Sequence, residues 1–440
     1  MMLLAGVAAA VSGGSSEDPQ TPPALPRLPP PFLGTTVLGD GRLSAAVDSY
    51  GDIVDLRDGP VGASLIANPA ERQAAGTVPS DTGIVPRISI GGGAPLPLWR
   101  ADRIDQRYLA DANVLRTQAS FGDALLTVED AVRGRTLARV VTVSGPVQQG
   151  PAWRGSFSIE DGLDERLACR QRKLPSRLAL ICSPTQDLRA KATFESRSAA
   201  GAVARSRSAA GVIAASTRED RRWLDQARPL AGRAPAWAAE MYERSLLALR
   251  ALTDRRTGAV AAGLRDGWAY VWPRDAAAVS LAFAAAGYRD EARKVATFLS
   301  GLDLNAAARF DASGAAIEGR EAQGDAWGWT AAANRAAGLP PPHPRPDWRD
   351  RADYQEKSPG DYLANALASH IEADRKATLV RGQFEAHGVL VREESAANSA
   401  IDSAAAWAVR PFTQPALFPA ARRSLQQLIR TRGGTRGGSS

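Results

Sequence analysis

The hydrophobic periodicity of the chain changes near residue 230, and that change limits the fold more than any other feature. Before it, short apolar runs alternate with turn residues: Thr35–Leu38, Leu43–Val47, Ile53–Leu56, Val85–Ile90, Leu125–Val128 and Leu137–Val143. Gly39-Asp40-Gly41, Tyr50-Gly51-Asp52 and Phe121-Gly122-Asp123 lie between them and supply hairpin chemistry. Short strands at such spacing predict an antiparallel β-sandwich over residues 32–222. After it, apolar residues recur every three or four positions: Tyr242, Leu246 and Leu249; Val279, Phe283 and Ala286; Leu363, Leu367 and Ile371. Gly and Pro loops divide these runs, and no strand pattern intervenes. The expectation is a two-domain chain, multidomain β + all-α, with a linker over 223–240, helical hairpins over 241–430 and a disordered tail over 431–440.

Two domains also suit the length of 440 residues. The only continuous apolar stretch, Met1–Val11, is too short to span a bilayer, which takes roughly 20 residues. It resembles the apolar region of a secretory signal without its charged leader, and the Pro-rich Pro22–Pro31 follows as a stiff tether. Residues 1–31 therefore predict a secreted or cell-envelope protein. The net charge of +7 comes almost wholly from Arg, and the five Lys (173, 191, 294, 357 and 376) are scattered. A nucleic-acid footprint would gather its charge on one stripe, so no nucleic-acid partner is expected. Cys169 and Cys182 flank a turn at Lys173–Ser176; a hairpin disulfide and two buried thiols are both open readings. Two Cys and three His offer no metal-site spacing, and no cofactor is expected.

Chemistry concentrates in the helical half. Asp266-Gly267-Trp268-Ala269-Tyr270-Val271-Trp272-Pro273-Arg274-Asp275 places Pro273 in the first turn of a helix, where its missing N–H costs nothing. Arg274 and Asp275 then stand at that helix start beside three aromatics. Flat rings stack on the C–H faces of sugars, and an Arg/Asp pair fixes hydroxyls by charge-assisted hydrogen bonds. The plainer reading is a core aromatic cluster with a structural ion pair.

The segment Tyr242–Ala276 closely resembles the opening of the catalytic domain in glycoside hydrolase family 15, the glucoamylases, glucodextranases and related bacterial α-glucosidases. The resemblance implies that Arg274 and Asp275 bind the hydroxyls of a terminal glucose and that Trp268, Tyr270 and Trp272 shape its pocket. Arg320–Asp325 resembles the family's Gln-x-Asp segment, which adds Gln323 and Asp325 as substrate-binding residues, followed by Trp327 and Trp329. Asp353–Tyr362 resembles the segment that carries the general acid, and Glu356 is the matching carboxyl, although Gln355 stands where the family has Trp. Ser358 and Pro359 can cap and open the next helix, leaving Glu356 on a loop. A general acid needs a pKa raised by burial or by neighbouring carboxylates. Asn398–Ser403 with Trp407 is also similar to bacterial members, and Asp402 within it reads as a structural carboxylate.

The resemblance implies an (α/α)6-type helical toroid, incomplete here, with about seven or eight of its twelve helices. It implies an exo-acting, inverting hydrolase that takes terminal α-linked glucose from an α-glucan or oligosaccharide. The region that would carry the family's general base has no counterpart before the chain ends, so that base is unassigned; Glu385, Glu393 and Glu394 lie in charge-rich segments that suit a solvated surface better. The alternative is a non-catalytic or degenerate carbohydrate-binding protein of the same ancestry.

Overall fold

The computed structural model describes residues 35–432 except 63, 67–82, 91–92, 146–152, 160–165, 175–176, 185–207, 231, 233, 265–267, 344–347, 350, 355–359, 370–373 and 395–399. The signal-like segment and tether (1–31), the Pro175-Ser176 turn, Ile371 and residues 433–440 of the expected tail lie outside the described residues.

Twelve strands among the described residues occupy the first half. They are β1 (Thr36–Gly39), β2 (Ser44–Val47), β3 (Ile53–Arg57), β4 (Ile84–Ile90), β5 (Leu96–Pro97), β6 (Arg103–Tyr108), β7 (Val114–Phe121), β8 (Ala124–Arg133), β9 (Thr136–Ser144), β10 (Trp153–Ile159), β11 (Leu167–Leu174) and β12 (Arg177–Pro184). They form two antiparallel six-stranded sheets, one in the order β1-β2-β3-β4-β10 with β5 paired to β4, the other β11-β12-β9-β8-β7-β6. All six runs singled out in the sequence are strands. Gly122, with φ of 56°, turns β7 into β8, a conformation that costs Gly nothing. Leu38, Val47, Ile53 and Ile88 of one sheet share a buried cluster with Leu115, Leu126, Val141 and Leu180 of the other. The first sheet is buried on its second face too: Ala46 and Val54 belong to the apolar cluster of the helices.

Cys169 and Cys182 face each other across β11 and β12 and are joined as a disulfide with Cα atoms 4.1 Å apart. A cross-link closing a loop of this size stabilises by about 2–3 kcal/mol, mostly through the unfolded chain. Replacing both Cys by Ser is expected to lower the urea midpoint by that equivalent with an altered m-value, and an unchanged midpoint would refute it.

Two elements depart from the sequence expectation. The stretch read as wholly β up to residue 222 ends in a helix, α1 (Ala209–Leu224), whose N-cap Ser208 accepts the Gly211 N–H. Ala209, Val212 and Ile213 pack on Val114, Ala131, Ala138 and Val140, so α1 covers the outer face of the second sheet. Those sheet residues are small and apolar on the side an uncovered sandwich would leave to water. The helical half also contains a hairpin, β13 (Glu385–Ala386) and β14 (Val389–Leu390), turned by His387 and Gly388 at φ 51° and 77°. Two-residue strands are too short to show a period.

Seven further α-helices among the described residues make up the second half. They are α2 (Ala236–Leu252), α3 (Pro273–Ala286), α4 (Arg289–Ser300), α5 (Ala326–Ala337), α6 (Leu363–Ser369), α7 (Asp374–Phe384) and α8 (Phe418–Arg432). The last runs two residues into the expected tail. α5 is buried along Ala326–Asn334 without a polar face, which marks a central helix. At Gly328 any Cβ would stand 1.8 Å from the Ala368 carbonyl, so Gly lets α5 and α6 touch backbone to backbone.

The two halves are bound by polar contacts that fix α2. Arg250 donates to Asp220 (3.0 Å) and Glu219 (3.1 Å) of α1, while Asp220 accepts the Asn113 N–H at 2.8 Å. Arg244 donates to the Ala112 carbonyl and the Asn113 side chain, and Ser44 Oγ to the Ala251 carbonyl. Burial pushes the Asp220 carboxyl up to about 6, against the lowering effect of the Asn113 N–H and Arg250.

Candidate functional site

The aromatic motif is an extended segment paired on both sides. Tyr270 O accepts the Ala262 N–H and Trp268 O the Gly263 N–H, while Val271 and Phe310 exchange two backbone bonds of 2.8 Å. Extended backbone sends alternate residues to opposite faces, which sets Trp268, Tyr270 and Trp272 against Ala269 and Val271. Pro273 then starts α3, as its fixed φ favours, and Gly287 closes α3 in the left-handed conformation at φ 94°. Arg274 and Asp275 are thereby held in the first turn.

Arg274 is the hub. Its Nη1 donates to Gln323 Oε1 at 2.9 Å and to Asp325 Oδ2 at 2.8 Å, and its Nη2 reaches the Tyr354 carbonyl at 3.4 Å. Asp325 occupies the N-cap position of α5 without capping it; its side chain, 0% exposed, serves Arg274 instead. Gln323 and Gly324 pair with Ala352, which carries Tyr354 to the same place. Burial works against the charge on Arg274, but Asp325, Asp275 and Tyr354 together raise its pKa. The Asp275 carboxyl is raised by its burial and by Asp325, with Arg274 opposing.

Buried polar atoms around this hub have no hydrogen-bond partner among the described residues: Gln323 Nε2, Asp325 Oδ1, Trp272 Nε1, Trp329 Nε1 and Asp402 Oδ2. Three are donors and two are acceptors. Leaving such groups unsatisfied costs about 1–3 kcal/mol each, so a ligand offering both hydroxyl donors and acceptors would recover that cost.

The expected residues are brought together unevenly. Arg274, Gln323 and Asp325 are in direct contact, with Trp272 and Asp275 as chain neighbours of Arg274. Trp268, 46% exposed, meets Trp272 with ring centroids 5.5 Å apart. Tyr270 is turned to Arg309, whose guanidinium lies 4.8 Å from the ring. Glu356 lies outside the described residues, as do Asp266, Gly267, Ser358 and Pro359. Asp402 caps a short 3-10 turn by accepting the Ala404 N–H, in keeping with a structural role, and it also accepts the Tyr354 hydroxyl at 2.6 Å. Tyr354 was quoted in the sequence without a role, yet its carbonyl, its ring 5.6 Å from the Arg274 guanidinium, and its hydroxyl tie Arg274 to Asp402 and Trp407. Contacts between segments 80 and 48 residues apart leave no local signal.

Two of the three carboxylates weighed as a stand-in base are engaged elsewhere. Glu385 is paired with Arg381 (2.8 Å) and Arg423 (3.6 Å). Glu394 has its pKa raised by partial burial and by Asp361, which shares a hydrogen bond with it, while Arg349 opposes. Glu394 is also paired with Arg349 at 3.6 Å. Glu393 lies on a bridge to Tyr362. Among the described residues no three His, Cys, Asp or Glu are grouped to hold a metal ion, and no helix is long and apolar enough to cross a membrane.

Comparison with known proteins bears on the same segment. Residues 236–308, from α2 to just past α4, match the model for "Glycosyl hydrolases family 15". No curated protein matches the chain by sequence. Among solved structures, one described as a bacterial glucoamylase complexed with acarbose is 11% identical to this chain, with a TM-score of 0.60 over 88% of this chain and 72% of that one. Identity that low shows the fold alone. The chain therefore has a glucoamylase-like fold, and the stretch that matches the family model by sequence carries Arg274, while its partners Gln323, Asp325 and Tyr354 lie beyond that stretch.

Proposed function

We propose that this protein is a glycoside hydrolase that removes terminal α-linked glucose from α-glucans or oligosaccharides with inversion. The observation that carries the reading is the Arg274 fork on Gln323 and Asp325, ringed by buried donors and acceptors that lack partners among the described residues. A glucose ring matches both needs of such a site, since its hydroxyls donate and accept and its C–H faces pack on Trp272 and Trp268. Acarbose in the bacterial glucoamylase is an oligosaccharide ligand of the same class. In this reading the two sheets form a β-sandwich domain, the helices belong to an (α/α)6-type toroid, and the N-terminal segment directs the protein to the envelope or outside the cell.

Inverting hydrolysis needs a carboxylic acid to protonate the leaving oxygen while a carboxylate on the opposite face draws a proton from the attacking water. Glu356 takes the first role: it lies two residues past Tyr354, whose carbonyl is anchored to Arg274. Arg274 and Asp275 orient the sugar so that the glycosidic oxygen meets the acid. The expected result with maltotriose is release of β-glucose, and Glu356→Gln should slow it about 10²–10⁴-fold with little change in binding. Maltotriose that binds but is not cleaved above the Glu356→Gln level would replace the hydrolase with the sugar-binding alternative. Failure of maltotriose to bind at all would refute both.

A further inference from the structure

One buried amide in the helical half is explained by function better than by stability. α6 is buried along its whole length, and its residues Leu363, Ala366 and Leu367 lie in the apolar cluster of the helices. Asn365 stands among them, fully buried. A buried side-chain amide is costly unless both its ends are bonded. Here the nitrogen is served and the oxygen is not. Nδ2 donates to the carbonyls of Arg351 (3.2 Å) and Ala352 (3.3 Å), whereas Oδ1 has no partner among the described residues. Both neighbours of the nitrogen are acceptors, which fixes the way round the amide lies.

Neither carbonyl depends on this donor. The Ala352 carbonyl also accepts the Gly324 N–H at 3.1 Å, and the Arg351 carbonyl the Gly360 N–H at 3.4 Å. Taking the amide away therefore strands no backbone group and removes an unpaired oxygen, so an apolar side chain of the same size would serve the core as well.

What the amide adds is a staple. Arg351 and Gly360 are bridged antiparallel, and Glu356 falls between them in the sequence. Gly360 leads through Asp361 and Tyr362 into α6, so Asn365 belongs to the outgoing side of this neck and its Nδ2 holds the incoming side to it. The incoming side continues into Asp353, paired with Arg392, and Tyr354, whose hydroxyl donates to Asp402. Gly324 presses on the same amide: any Cβ there would stand 2.5 Å from Asn365 Nδ2 and 2.9 Å from the Trp348 carbonyl.

We infer that Asn365 is a positioning residue for the hydrolysis. It sets the neck of the segment that carries Glu356, and so the aim of the acid, while the Arg274 fork keeps its own bonds to Gln323 and Asp325. The inference rests on the hydrolase reading given above.

Asn365→Leu in the full chain, with Asn365→Ala as a second variant, tests it on two substrates. Maltotriose needs its leaving oxygen protonated, whereas α-glucosyl fluoride expels fluoride, which needs little help from an acid. Asn365→Leu is expected to lower kcat on maltotriose about 30-fold with KM within about threefold of the parent, and to lower kcat on the fluoride by less than about threefold. Its urea midpoint should be no lower than the parent's. Asn365→Ala should repeat the divergence between the substrates, because a ratio of two rates does not depend on how much of the protein is folded. With an active parent, equal losses on both substrates, or no loss on maltotriose, would overturn the assignment of Asn365 alone. So would a rise in KM that accounts for the whole effect, since that places the amide in sugar binding. A parent that cleaves neither substrate removes the hydrolase reading, and this assignment with it.

Discussion

Arg274→Lys is expected to lower kcat/KM on maltotriose about a hundredfold while the protein stays folded, because misplacing a bound sugar by an ångström costs that much. A lysine keeps the positive charge beside Asp325 but has no fork: it cannot serve Gln323, Asp325 and the Tyr354 carbonyl together. Arg274→Ala should do more. It strands a fully buried Asp325 without its cation, a loss of about 3–5 kcal/mol in stability. The two variants therefore separate positioning from folding, with kcat/KM as one readout and the urea midpoint as the other.

The same substitution has a pH signature. Burial raises the Asp275 carboxyl, with Arg274 among the influences that lower it. Removing the guanidinium takes that lowering away, so Asp275 in Arg274→Ala holds its proton to higher pH than in the parent. If the ionised carboxylate accepts a sugar hydroxyl, binding strengthens as pH rises through this pKa. The acid limb of kcat/KM then moves to higher pH in Arg274→Ala, and the smaller change in Arg274→Lys follows from its retained charge. An acid limb that stays in place in both would take Asp275 out of the binding site.

How much of this was legible in the sequence depends on the range of the contacts. Strands such as β3 and β9 and the helix start at Pro273 are written in nearest-neighbour chemistry, and they stand where the pattern put them. α1 was missed because its apolar positions follow a long stretch read for strands, although Ser208 and the spacing of Val212, Ser216, Asp220 and Trp223 carry a helical signal. At the site, Arg274, Gln323 and Asp325 could be nominated one by one through their family resemblance, but not their joining. Tyr354 escaped a role because its three contacts reach residues on other elements. Asp402 was read as structural, which its cap to Ala404 fits, and its second partner, the Tyr354 hydroxyl, follows only from the fold. The disulfide stood undecided because a turn of uncertain length leaves register open; the cross-strand pairing of Cys169 with Cys182 decides it.

The largest stability effect is expected between the sheets, at Arg139. This side chain is fully buried on β9 and pairs with Asp130 of β8 through Nε at 2.7 Å and Nη2 at 3.0 Å. Its remaining N–H groups donate across the core to the carbonyls of Gly51 and Ile84, so one guanidinium ties both sheets together. Arg139→Met leaves the Asp130 carboxylate in the core without a cation and two carbonyls without a donor, a loss of about 3–5 kcal/mol. Burial already raises the Asp130 carboxyl, and Arg139 is what opposes it. In Arg139→Met the folded-state pKa climbs further, so the folded protein binds a proton that the unfolded chain releases. The stability of the variant then falls as pH rises from the ordinary carboxylate range towards that raised pKa, and it is best preserved in acid. Pairing Arg139→Met with Asp130→Leu removes both charges and should recover most of the loss, since a well-packed apolar pair is often no worse than a buried ion pair. Urea titrations at two pH values read both effects. A single variant within about 1 kcal/mol of the parent, or a double variant no better than the single, would show that this ion pair does not hold the sheets together.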